Sequence, residues 1–257
     1  MNVLVFDIET VPDVDGGRRL YGLEGLSDHD VAEAMFLKRR QESGAEFLRV
    51  HLQRIVAISV VLRIGERCKV WSIGDPESPE EELVRRFFEG VERYTPTLVT
   101  WNGGGFDLPV LNYRALFHGV RATGFWELGE EKSTFRWNNY ISRFHWRHID
   151  LMDVLSGYQI RAAAPLNEIA VLLGLPGKMG MNGAKVWDCF QGSDIASIRN
   201  YCETDVLNTY LVYLGFERMR GRLTPLEHES ECQILRDTLS EAGQPHLDEF
   251  LRIWSRA

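Results

Sequence analysis

The chain has 257 residues, 44% of them hydrophobic and 26% charged, a composition that suits one sizeable α/β domain with its own core. Its 37 acidic and 29 basic residues leave a net charge of -8, which argues against a protein gripping duplex DNA by bulk positive charge but suits one that gathers carboxylates around metal. No run approaches the roughly 20 apolar residues of a membrane span, the start lacks a signal-peptide pattern, and the four cysteines form no C-x-x-C pair, so a cytoplasmic protein with free thiols is expected.

The β-branched run Asn2 to Ile8 predicts a buried strand ending at Asp7 and Glu9, whose i, i+2 spacing puts both side chains on one face. Two carboxylates so placed repel unless a cation lies between them, and divalent metal is the natural candidate; a solvated strand end gives the same D-x-E pattern. Residues 11–53 read as a charged insertion holding a helix capped by Ser27. Arg54 to Ile64 and Lys69 to Ile73 predict an antiparallel pair turning at Gly65. The run S-P-E-E at Ser78 to Glu81 predicts a helix with a hydroxyl cap and Pro at its first position, followed by apolar Leu83, Val84, Phe87, Phe88 and Val91.

Thr97 to Trp101 predicts another buried strand, followed by the glycines of W-N-G-G-G-F-D and a helix over Leu108 to Phe117. Asp107 then stands at a helix start, where the backbone favours negative charge; an ordinary cap is the plain alternative. Between His118 and His148 a long loop interleaves Trp126, Phe135, Trp137, Tyr140, Phe144 and Trp146 with Lys132, Arg136, Arg143 and Arg147. That pattern fits a single-strand channel as well as it fits an apolar cluster beneath a loop. After a short segment around Ile149, helices are expected at Pro165 to Leu173, Ser193 to Phe216 and Thr224 to Glu241, within one domain spanning 1–257. On the second of these, Tyr201 and Asp205 at i, i+4 share a face, Leu207, Leu211 and Leu214 form the packing stripe, and Glu203 projects elsewhere as a solvated charge.

Taken in order, F-D-I-E-T at 6–10, N-x-x-x-F-D at 102–107 and Y-x-x-x-D at 201–205 resemble the three motifs of the DEDDy group of 3′-5′ exonucleases in the DnaQ-like, ribonuclease H-like superfamily. With H-I-D-L-M-D at 148–153, L-N-E-I-A-V-L-L-G-L-P-G-K ending at Lys178 and I-R-N-Y-C-E-T-D-V-L-N-T-Y ending at Tyr210, nearly the whole chain resembles predicted exonucleases related to the proofreading domain of family B DNA polymerases. The insertion at 11–53 is the least similar part.

This resemblance implies a ribonuclease H-like fold, a five-stranded mixed sheet flanked by helices. It also implies two divalent ions, Mg2+ or Mn2+, with Asp7 bridging both, Glu9 and Asp205 holding the one that activates water, and Asp107 acting through the shell of the second. Tyr201 would hydrogen-bond the attacking water; the DEDDh subgroup carries His where this chain has Asn200. Asp150 and Asp153 compete with Asp107 for the second-motif role, and N-x-x-x-F-D favours Asp107. Thr10, Asn102, Phe106, Trp137, Arg143, His148 and Lys178 are the expected substrate contacts, although His148 also reads as structural and Lys178 as a surface lysine.

The expected activity is removal of nucleoside 5′-monophosphates from the 3′ end of single-stranded or frayed nucleic acid, with DNA favoured. With no polymerase sequence after Ala257, a DNA polymerase or repair factor would be a partner in trans. A catalytically silent nucleic-acid-binding or scaffold module with the same fold is the alternative.

Overall fold

The β-branched run at the start of the chain forms β1 (Asn2–Pro12), the middle strand of five in a computed structural model that describes residues 1–181 and 183–255. Antiparallel to it runs β2 (Gln53–Ile64), which turns at Gly65 into β3 (Arg67–Ser72). On its other side β4 (Thr97–Thr100) and β5 (His148–Asp150) are parallel, giving the order β3-β2-β1-β4-β5. The expected mixed five-stranded sheet is present.

One boundary differs in a way that matters. β1 does not end at Asp7 and Glu9 but stays paired with β2 through Pro12, with a bulge between Glu9 and Thr10 that shifts the register. On the other side β4 is paired with β1 only from Val3 to Val5. Asp7 and Glu9 therefore lie inside a long strand, just past the point where its parallel neighbour leaves it.

Residues 13–52 hold two helices, α1 (Val14–Tyr21) and α2 (Asp28–Ser43), the latter capped by Ser27 as expected. No helix was anticipated over α1, because its Gly16 and Gly17 disfavour one. Gly17 packs under α2 so closely that a Cβ there would lie 2.4 Å from the Met35 sulfur. The next helix, α3 (Glu80–Tyr94), starts one residue later than expected, with Pro79 as its cap residue. Ser78 instead accepts from the Asp75 N–H at 3.0 Å. Glu80 turns inward, accepting the Ile55 N–H at 2.6 Å and pairing with Arg114 and His118. Arg114 also holds Asp13 at 2.7 Å, which ties the start of the 13–52 segment to the domain.

Further along are α4 (Asp107–His118), α5 (Leu151–Leu155), α6 (Leu166–Leu172), α7 (Val186–Gln191), α8 (Ile195–Met219), α9 (Pro225–Ala242) and α10 (Pro245–Trp254). α5, α7 and α10 are additions to the expected set. Even-numbered side chains of β1, such as Phe6, pack with Phe87, Phe88 and Leu111 of α3 and α4. Odd-numbered Val3 and Val5 pack on Leu207, Leu211 and Leu214 of α8, with α9 and α10 behind. This two-sided burial of a mixed sheet between helices is the layering that the resemblance implied.

Glu203 was expected to be solvated and is not. It is only 7% exposed and accepts from Ser72 Oγ at 2.6 Å, with His246 Nε2 at 2.8 Å. The reason is α10, whose His246 comes down over this face of α8. In the loop between α4 and β5, Phe125, Phe135 and Tyr140 join the core, whereas Trp137 and Phe144 face outward. All four cysteines are free, and among the described residues no helix is long and apolar enough to cross a membrane.

Candidate active site

The site forms where β4 parts from β1. Odd-numbered positions of β1 face α8, so Asp7 and Glu9 continue the row of Val3 and Val5 beyond the apolar contact. α8 brings Tyr201 and Asp205 to the same place from one helical face. α4 supplies the fourth carboxylate: Asp107 is its first residue, 2% exposed, and its Oδ1 accepts the Ile8 N–H at 3.2 Å. That bond uses a β1 donor next to the gap left by β4.

The loop before α4 is tightly fixed. Asn102 adopts φ +66, a left-handed conformation that Asn tolerates, and Gly103 sits so near Thr100 that a Cβ would come within 2.5 Å of its Cβ. Asp150 accepts the N–H groups of Asn102 at 2.9 Å and Gly104 at 2.8 Å. Asp150 thus positions the loop carrying Asp107, and Asp153 pairs with Arg143 at 2.8 Å.

The cluster is electrostatically uncomfortable. Burial and then repulsion from Asp107, Glu9 and Asp205 push the Asp7 carboxyl well above the usual carboxylate range. Burial, Asp205 and Asp107 do the same to Glu9, against some relief from Lys178. Burial pushes Asp107 up to about 7 despite its backbone N–H bonds. Asp205 is raised by burial and drawn back by the Tyr201 phenol and Lys178. The Tyr201 phenol is itself raised far above its ordinary value by burial and the surrounding acids.

Cys202 is the nearby group that motif reasoning missed. Its Sγ donates to the Asp7 carbonyl at 3.4 Å and lies 3.8 Å from Asp7 Oδ2. Ligand atoms of Asp7, Glu9 and Cys202 all lie within 4.8 Å of one another. Burial and the two acids raise the thiol far above its usual range, so it stays neutral. The donors on offer are then hard carboxylate oxygens, suited to magnesium or manganese rather than to a thiolate-bound soft metal.

A cleft of about 1130 Å³ opens over the cluster, and four of the residues expected to contact substrate, Thr10, Asn102, Phe106 and Lys178, line it. Lys178 is presented by a pinned loop: its N–H donates to Asn167 Oδ1 at 2.8 Å, and Gly177 N–H to Asn208 Oδ1 at 3.1 Å. Two other expected contacts lie elsewhere. Arg143 and His148 face a separate cavity of about 620 Å³ across the glycine loop, which Asn102 and Gly105 divide from the acidic cleft. His148 Nε2 is 2.8 Å from Thr100 Oγ1, and burial lowers its pKa to about 4, so it is neutral and helps hold β4 to β5. Trp137 is 81% exposed and borders neither cavity. One wall of the acidic cleft was not anticipated: it comes from α2 and the chain after it, including Arg40, Glu46 and Phe47, and from Trp187 of α7.

A family model described as "Predicted 3′-5′ exonuclease related to the exonuclease domain of PolB" matches residues 45–254, a span that begins after Asp7 and Glu9. Over 148 residues the chain is 25% identical to the catalytic subunit of DNA polymerase epsilon from Schizosaccharomyces pombe, covering 54% of this chain and 6% of that protein. Among solved structures, the family B DNA polymerase of the hyperthermophilic archaeon Pyrobaculum calidifontis aligns with 98% of this chain and 27% of its own, at 21% identity and a TM-score of 0.50. That last similarity is one of fold.

Proposed function

The chain belongs to the family of predicted 3′-5′ exonucleases related to the exonuclease domain of PolB, and we propose that residues 1–257 form one working exonuclease domain, with 11–53 inserted in it. Its substrate is the 3′ end of single-stranded or frayed nucleic acid, from which it releases nucleoside 5′-monophosphates. DNA is the favoured polymer, because the similar proteins are named as DNA polymerases.

One observation carries this reading: four carboxylates on three elements converge in one cleft with Lys178 as their nearby counter-charge, and burial, joined at Asp7 and Glu9 by repulsion from the other acids, raises their pKa values. Such an arrangement is costly in the free protein and is relieved by divalent cations. Two magnesium or manganese ions held by Asp7, Glu9, Asp107 and Asp205 would lower the pKa of water and offset charge on the entering and leaving oxygens.

The protein groups have separate tasks. Asp7, whose carboxyl feels the charge of the other three acids, would be a ligand shared by the two ions. Glu9 and Asp205 would help hold the ion that activates water, and Asp107, locked to the Ile8 N–H, would act through the other. The Tyr201 phenol keeps its proton and donates a hydrogen bond that orients the water. Lys178 meets the phosphate, while Asn102 and Phe106 guide the terminal nucleotide. A DNA polymerase or repair factor working in trans would supply mismatched or frayed ends.

The test is digestion of single-stranded DNA and RNA labelled at either end, with magnesium, manganese or chelator. Shortening from the 3′ end that stops in chelator is expected. Cleavage of closed circular single strands, or activity that persists in chelator, would overturn the proposal. Binding of single strands without any cleavage under these conditions would favour the silent binding module.

A further inference from the structure

Nine charged side chains line the acidic cleft among the described residues, and only Arg40 and Lys178 of these are cationic. Lys178 lies on the carboxylate side, where it eases Glu9 and Asp205. Arg40 belongs to the wall contributed by α2 and the chain after it, and pairs with Glu46 of the same wall. Both partners are more than half exposed, and such a pair contributes little to stability and exchanges readily.

Phe47 follows on that wall, and three facts about it belong together. Its ring is 62% exposed, although the next residue, Leu48, is buried in the small core between α1 and α2. Its carbonyl accepts from Arg39 Nε at 2.9 Å, so the backbone presenting the ring is anchored. The ring rests against Phe106 of the N-x-x-x-F-D motif, centroids 5.3 Å apart and planes tilted by 52°. A large aromatic surface is thus held open beside the carboxylates, braced by the residue next to one of them.

We propose that Phe47 and Arg40 form the second wall of the nucleotide site: Phe47, braced by Phe106, stacks on the base at the unpaired 3′ end, and Arg40 leaves Glu46 for the adjoining phosphate. This deepens the exonuclease reading and rests on it. Stacking accepts any base because every base has a π face, while an arginine on the phosphate adds affinity without sequence preference. A paired terminal base is held by its Watson–Crick edge and its inner stacking neighbour and reaches this wall only by unpairing, so this wall selects frayed ends. The segment that least resembled the family motifs thereby sets what the cleft admits.

The test uses the full chain and single-stranded DNA carrying 2-aminopurine at its 3′ terminus, whose fluorescence falls when the base is stacked. With calcium in place of magnesium to allow binding, the wild type quenches terminal 2-aminopurine, Phe47→Ala loses the quench and Phe47→Trp restores it. With magnesium, Phe47→Ala and Arg40→Ala each raise KM about tenfold and leave kcat within about twofold, whereas Glu46→Gln, which frees Arg40, lowers KM. Arg40→Ala also flattens the dependence of binding on salt. The proposal is overturned if Phe47→Ala matches the wild type in quench and KM, or if Glu46→Gln and Arg40→Ala move KM in the same direction. Absence of cleavage by the wild type would instead sink the exonuclease reading itself.

Discussion

Two cavities lie on either side of the glycine loop at 102–105, and both contain carboxylates, yet they treat them oppositely. On one side Asp150 accepts two backbone N–H groups and Asp153 is held in a two-bond fork by Arg143 at 2.9 and 2.8 Å. On the other, Asp7, Glu9, Asp107 and Asp205 face one another with Lys178 as their main counter-charge. Burial and Asp153 raise the Asp150 carboxyl too, but its backbone bonds draw it back and fix it as scaffold, whereas Asp7 and Glu9, raised by burial and by the acids around them, mark a place built for something positive. His148, neutral and bonded to Thr100, belongs with the scaffold side.

The sharpest way to break this contrast is to remove one carboxylate from each side. Asp7→Asn should reduce single-turnover cleavage by at least about 1000-fold, a barrier increase of about 4 kcal/mol, and should abolish the rise in melting temperature that magnesium or manganese gives the wild type. Asp153→Asn should leave metal-induced stabilisation intact; calorimetric metal titration of both variants measures the difference. Tyr201→Phe should come next. It keeps the ring and deletes the hydroxyl, so kcat should fall about 10- to 1000-fold while metal affinity survives. A wild-type single-turnover rate in that variant would return the phenol to a packing role.

A smaller effect follows from protonation. The Asp107 carboxyl rises from its unfolded value to about 7 on folding, so the native state holds its proton more tightly than the unfolded chain does. Its contribution is fully present below about pH 4 and is lost as pH rises through about 7. The metal-free protein should therefore melt at a lower temperature at pH 8 than at about pH 6, and excess magnesium should reduce or reverse that slope. A metal-free melting temperature that climbs over the same interval would contradict the picture of crowded acids. The smallest effects belong to the far side. Arg143→Ala and Trp137→Ala should change substrate affinity at most about threefold, because Arg143 is engaged with Asp153 and Trp137 stands outside both cavities. A loss of tenfold or more, with a changed salt dependence, would restore the loop between α4 and β5 as part of the channel.

What could be read from the chain follows the two structural periods. The two-residue repeat of a strand sets Asp7 beside Glu9, and the helical repeat sets Tyr201 over Asp205, so each pair was legible without knowledge of the fold. The mixed sheet and its flanking helices followed from the resemblance. What joins the pairs was not legible: β4 leaves β1 after Val5, and the Ile8 N–H then meets Asp107, a contact 99 residues apart in sequence. Glu203 looked solvated because its cover, His246 of α10, lies 43 residues on. The wall from α2 stayed hidden because nothing local to Phe47 distinguishes a ring held open by Phe106 from one buried.

The most direct test of the central claim, that the crowded acids form a metal-dependent 3′-trimming site, is single-turnover release of label from the 3′-terminal nucleotide of single-stranded DNA. The wild type in magnesium should release it first and as a nucleoside 5′-monophosphate, and neither the wild type in chelator nor Asp205→Asn in magnesium should do so at a comparable rate. Equal release in chelator, or by Asp205→Asn, would contradict the account.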